Sequence, residues 1–174
     1  MVELLDDFRI LYLTGPRQAG KTTLVKKLAG RLGMKYVTLD DQAVLAAIKN
    51  DPHGYIRSQR DQKLILDEFQ YAEGLIPAIK EASDALTEGE RGKFLLTGSA
   101  DIFRSAKTQE ALPGHLARVE LYPLSLTEIE GKACNLVDFL VSHTIEYKST
   151  PFLEVDDIAQ LLIKGGYPEV QDKK

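Results

Sequence analysis

Between residues 15 and 22 the chain runs Gly15-Pro16-Arg17-Gln18-Ala19-Gly20-Lys21-Thr22, an unbroken G-x-x-x-x-G-K-[ST]. No other stretch limits the fold as much. An apolar, β-rich run (RILYLT, residues 9–14) leads into it, and an amphipathic stretch follows. Glycines at both ends let the backbone curl until successive N–H groups point inward, and the helix that follows adds the positive end of its dipole. The product is a cradle for phosphate. Gly15, Pro16, Arg17, Gln18, Ala19, Gly20, Lys21, Thr22 and Thr23 are therefore the expected nucleotide-binding residues. Lys21 is placed to reach the β- and γ-phosphates, and the Thr22 hydroxyl to ligate Mg²⁺. The plainer alternative is a glycine-rich turn that holds no phosphate. The strand before the loop and the helix after it weigh against that.

The rest of the chain alternates. After the loop, Lys21 to Leu32 presents Leu24, Val25, Leu28 and Leu32 on one face, and Gly33 is a stop. Lys26 and Lys27 lie on the other face, as a solvated surface or a contact for nucleic acid. Strands are expected over 35–39, 63–67, 93–97 and 116–121. Helices are expected over 42–49, 54–60, 74–86, 101–112, 127–130 and 132–150, with a last one capped by Asp156 or Asp157 and ended by Gly165. Asp40 or Asp41 is expected to cap the helix that starts at 42, and residues 1–8 read as a lead-in. Strands that alternate with helices imply an α/β fold: a parallel sheet of about five strands flanked by helices in three layers. Ligands in such sheets bind at the carboxyl ends of the strands. The phosphate loop, Asp67-Glu68 and Thr97-Gly98-Ser99 all follow such ends.

Composition narrows the class. The chain has 174 residues, 44% hydrophobic and 28% charged, with a net charge of −4. That balance argues against a surface built mainly to bind nucleic acid, while leaving room for a local basic patch. No apolar run is long enough to span a membrane, and Glu3, Asp6 and Asp7 stand where a signal peptide would be basic. Cys134 is the one cysteine, and His53, His115 and His143 are scattered, so neither a disulfide framework nor a zinc cluster is expected. A cytoplasmic setting follows.

Phosphoryl transfer to water needs charge neutralisation and a positioned nucleophile. Lys21 and Mg²⁺ serve the first need. Asp67, at the end of an apolar strand, suits a second Mg²⁺ ligand beside Thr22. Glu68 then orients or deprotonates the attacking water. The bland reading of Asp67-Glu68 is a solvated acidic loop. The chain has no N-K-x-D segment for reading guanine, which favours ATP. A small-molecule kinase would need an acceptor pocket and an arginine-rich lid, and no clear lid is present.

Taken together, GPRQAGKTTL (15–24), LILDEFQ (64–70), FLLTGSA (94–100), ARVELYPLSLTEIE (117–130) and GGYPEV (165–170) resemble bacterial and archaeal AAA-type P-loop ATPases with a C-terminal domain of unknown function. That family is related to the archaeal and STAND-like ATPases. The resemblance implies ATP and Mg²⁺ at Walker A and Walker B segments. It also implies the additional-strand (ASCE) topology, in which the Asp67 strand is not adjacent to the phosphate-loop strand, and a γ-phosphate sensor at Ser99 or Thr97, with Ser99 preferred. Two departures stand out. The family usually has Gly-Arg before the fifth strand, where this chain has Gly114-His115; Arg118 nearby is either a substitute phosphate ligand or structural. Family members also continue beyond GGYPEV. The expected organisation is a P-loop ATPase domain over 1–130 and a helical extension over 131–174 leading into a C-terminal domain. The expected function is an ATPase that binds ATP and ADP as motor or switch for that domain, or for a protein or DNA partner, in a monomer or an oligomer and away from membranes. The alternatives are a nucleotide-dependent module with negligible hydrolysis and a small-molecule kinase.

Overall fold

The computed structural model describes residues 1–72, 74–98, 116–131 and 154–171. They divide into two compact units, Met1–Tyr122 and Pro123–Lys174, a division that falls ahead of the expected boundary at 130.

The first unit is built on a five-stranded parallel sheet: β1 (Ile10–Thr14), β2 (Lys35–Thr38), β3 (Leu64–Asp67), β4 (Phe94–Thr97) and β5 (Leu116–Glu120). Their order is β2-β3-β4-β1-β5. β4 therefore lies between the phosphate-loop strand and the Asp67 strand, as the resemblance implies. The register sets Leu13 beside Thr97, and Thr38 beside Asp67. The functional ends of β1, β2, β3 and β4 thus finish along one edge.

All five residues of β1 are buried, as are all four of β3 and of β4. Side chains alternate across the pleat. Ile10, Tyr12, Leu64, Leu66, Phe94 and Leu96 face one core, with Ile48 of α3 (Gln42–Asn50), Ile56 of α4 (Pro52–Ser58), and Leu75 and Ile79 of α5 (Leu75–Asp84). Leu11, Leu13, Ile65 and Leu95 face the other, with Leu5 of α1 (Val2–Asp7), and Val25 and Leu28 of α2 (Lys21–Leu32). Each fully buried aliphatic side chain contributes about 1.5–3 kcal/mol, so the central strands are pinned from both sides. This is the expected three-layer α/β sandwich.

Local signals set most helix ends. Gly20 and Gly33 bracket α2 with left-handed backbone. Asp41 accepts from the Ala43 and Val44 N–H groups at the start of α3. The expected lead-in at residues 1–8 is instead α1, because burying Leu5 against the sheet stabilises a helix too short to form alone.

In the second unit, Ser125 and Glu128 form a capping box on α6 (Leu126–Ile129). The next helix among the described residues, α7 (Val155–Lys164), is capped by Glu154 rather than by Asp156 or Asp157. Asp157 is the third helical residue and reaches back to the Glu154 N–H, at 3.2 Å. Both aspartates then sit in the first turn, where the helix dipole favours them. Gly165 ends α7, and α8 (Pro168–Gln171) follows. The Leu124 N–H donates to the Gly166 carbonyl at 2.7 Å. The helices expected over 101–112 and 132–150 lie outside the described residues.

Candidate functional site

The phosphate loop closes on itself. Gly15 has φ 144°, and a Cβ there would lie 2.2 Å from the Leu121 carbonyl oxygen, so only glycine fits between β1 and the segment after β5. Gln18 has φ 65°, a left-handed conformation uncommon outside glycine, and Gly20 has φ 96°. The Ala19 N–H donates back to the Pro16 carbonyl. Lys21 is 6% exposed, and its ammonium donates to the Gly15 and Pro16 carbonyls at 2.9 and 2.8 Å. Burial lowers the Lys21 pKa; Glu68 and Asp67 oppose that shift, and the Arg17 charge adds to it.

Opposite the loop stands an acidic turn. Asp67 ends β3 and is 1% exposed. Its Oδ1 accepts from the Thr97 hydroxyl of β4, and its Oδ2 accepts from the Tyr36 hydroxyl of β2 at 2.6 Å. Burial, and then the hydrogen bond to Asp67, push the Tyr36 phenol above its ordinary range. The Lys26 ammonium lies 5.2 Å from the Tyr36 ring centroid. Thr97 also accepts the Glu68 N–H at 3.3 Å. Glu68 itself has φ 57°. A left-handed glutamate persists only where its surroundings hold it. They do so through Phe69, which is 1% exposed, starts the 3₁₀ turn Phe69–Tyr71, and meets the Tyr12 ring edge-on at 5.5 Å.

Between loop and turn lies a cleft of about 280 Å³, lined by Arg17, Gln18, Gly20, Lys21, Thr22, Asp40, Glu68 and Tyr71. A larger cleft in the same unit, lined by residues that include Lys63 and Lys93, opens beside the starts of β3 and β4. The phosphate loop and the acidic turn meet at the smaller one.

The fold thus brings Lys21, Thr22, Asp67 and Glu68 to one edge. Thr23 is exposed on α2. Thr97, read as a phosphate sensor in second place to Ser99, has its hydroxyl committed to Asp67 and to the Glu68 N–H. Ser99 and His115 lie outside the described residues. Arg118 pairs in register with Tyr12 on edge strand β5, is exposed, and is not among the residues that line the cleft. Tyr36, Gln70, Asp40 and Tyr71 were missed as site residues. The alternation in KYVT puts Tyr36 and Thr38 on one face, which was the available signal for Tyr36.

The sequence profile of the AAA domain matches residues 7–130. An uncharacterised protein of Mycobacterium tuberculosis is 31% identical over 126 residues, and so is one of Mycobacterium bovis. Each match covers 72% of this chain and 28% of the relative.

Proposed function

Because the chain belongs to the AAA domain family, a family of nucleotide-binding P-loop ATPases, we propose that it binds ATP with Mg²⁺ between the phosphate loop and the acidic turn, and hydrolyses it to ADP and phosphate. The observation that carries this reading is the pairing across one cleft. A buried ammonium rests on loop carbonyls, and a constrained carboxylate, Glu68, stands across from it. In the complex, phosphate oxygens replace those carbonyls as acceptors for Lys21. The loop N–H groups and the start of α2 take the remaining phosphate charge.

Among the described residues, no group of three or more His, Cys, Asp or Glu forms a metal cage. A hydroxyl at Thr22 and one buried carboxylate at Asp67 are the donors Mg²⁺ takes when substrate phosphates and water complete its shell. The residues present therefore fit the ion. When bound, it would supply charge neutralisation on the phosphates. Glu68 accepts a hydrogen bond from the attacking water and sets its direction. Ser99 is the proposed γ-phosphate sensor.

The chain spans 28% of the length of the curated relatives it matches. We assign the ATPase to residues 1–130, and propose that it acts as a motor or switch for a C-terminal domain or a partner. Among the described residues, no helix is long and apolar enough to cross a membrane. A cytoplasmic setting goes with this reading.

The test is ATP affinity and steady-state hydrolysis with Mg²⁺, beside Glu68→Gln. The variant should keep the wild-type dissociation constant and lose turnover by about 100-fold or more. Equal turnover removes Glu68 from the chemistry. Tight binding without turnover in either protein supports a nucleotide-dependent module instead, and a wild type that does not bind ATP overturns the site.

A further inference from the structure

Gln70 belongs to neither the phosphate loop nor the acid pair, yet its side chain joins two strand ends. Its Nε2 donates to Glu68 Oε2. Its Oε1 is buried without a hydrogen-bond partner among the described residues. That oxygen abuts the end of β4: a Cβ built on Gly98 would lie 2.6 Å from it. The backbone of Gln70 is held in the 3₁₀ turn that Phe69 anchors in the core. A buried amide oxygen left unpaired is unfavourable, so the position of this amide is not set by its own hydrogen bonding alone.

The consequence concerns the Glu68 side chain. Its backbone is fixed at φ 57°, which sets the direction of its Cα–Cβ bond and leaves the side-chain torsions to be fixed by something else. The Gln70 amide does this by holding one carboxylate oxygen, so that the other is the acceptor for water. The amide is in turn held by its packing on Gly98, the residue that follows β4. We propose that Gln70 is a positioning residue that ties Glu68 to the end of β4, so that turnover depends on the fit between the Gln70 amide and Gly98. This rests on the ATP-hydrolysis reading of the same cleft and deepens it. Movement at the end of β4 reaches the attacking water through one side chain.

The test is a double-mutant cycle on kcat, KM and the ATP dissociation constant. Gln70→Ala should lower kcat by about 10- to 100-fold, since a small misplacement of a reacting group costs that much, and leave KM and affinity within about twofold. Gly98→Ala puts a methyl group 2.6 Å from the amide oxygen, displaces the amide, and should lower kcat to a similar degree. The double variant should be little slower than the slower single variant, because once the amide is gone the methyl group meets only the milder contact with the Phe69 ring, 3.3 Å from a Cβ built there. Gln70→Glu keeps the size of the side chain and replaces the donor with a like charge, so it covers the case in which the alanine variant fails to fold; it too should lose kcat. Wild-type kcat in Gln70→Ala or in Gln70→Glu overturns the proposal, and so do losses that multiply in the double variant. A wild-type protein without ATP turnover overturns the ATPase reading together with this one. Normal wild-type turnover with unaffected Gln70 variants overturns this one alone.

Discussion

The two walls of the cleft are made in different ways. The phosphate loop is local: one strand end, one turn and one helix start, contiguous from Ile10 to Leu32. Its shape comes from backbone, through positive φ at Gly15, Gln18 and Gly20 and a lysine folded onto loop carbonyls. The acidic turn is non-local. Asp67 and Glu68 are adjacent, but what holds them comes from Tyr36 on β2, Thr97 on β4 and the Gln70 side chain. The phosphate loop can therefore form most of its cradle wherever β1 and α2 are packed, although Gly15 also sits close against the Leu121 carbonyl after β5. The acidic turn requires three strands in register before either acid has its partners. Changes in the loop should act on binding, and changes around the turn on metal use and turnover.

Lys21→Ala is the largest break of the first wall. It removes the charge-assisted donor that holds the loop in the free protein and, in the proposed complex, meets phosphate. Hydrogen bonds to charged groups are worth about 1.5–3 kcal/mol each. ATP affinity should fall by about 100-fold, near 2.7 kcal/mol, as measured by calorimetric titration. Affinity within threefold of wild type would mean that the loop binds by its N–H groups alone, and the contrast between the walls would fail.

Legibility in the sequence follows the same contrast. Eight contiguous residues declare the loop, because its backbone demands glycine at fixed offsets and its chemistry demands a lysine and a hydroxyl. The strands were legible as well, since burial on both faces writes short apolar runs such as LILD and FLLT. The acid pair was legible as Asp67-Glu68, but its supports were not. A tyrosine in KYVT reads as an ordinary strand residue until β2 is known to pair with β3. Gln70 closes the LILDEFQ segment that carries the resemblance, but its role was not legible there, because what it touches at Gly98 depends on β4 lying beside β3. The helix α1 was missed for a related reason: its stability comes from the sheet it covers and not from its own six residues.

Tyr36→Phe sharpens the second wall. It removes one hydroxyl from Asp67 and leaves the ring in place. The lost hydrogen bond to a charged group should cost about 1.5–3 kcal/mol of stability at most, less where water enters. At about 2–4 °C per kcal/mol, the melting temperature should drop by several degrees. The Mg²⁺ concentration that half-supports ATP binding should shift by about threefold or more, while affinity for metal-free ATP stays the same. A shift in metal-free affinity instead would show that β2 supports the loop wall too.

Arg118→Ala should have the smallest effect, because Arg118 belongs to neither wall. The sequence leaves it as a phosphate ligand or a structural residue. Its strand pairs with β1 at Tyr12, short of the strand end where the loop begins, and its side chain is exposed. An exposed arginine without a buried partner contributes little to stability, about 0–1 kcal/mol even when paired on a surface. Both turnover per chain at low protein concentration and ATP affinity should remain within about twofold of wild type. A tenfold loss at low concentration would put the guanidinium on phosphate within its own chain and add a third wall to the cleft. A loss that grows with protein concentration would put it on phosphate in a second copy. Either result would decide between the two readings of Arg118 in favour of a phosphate ligand.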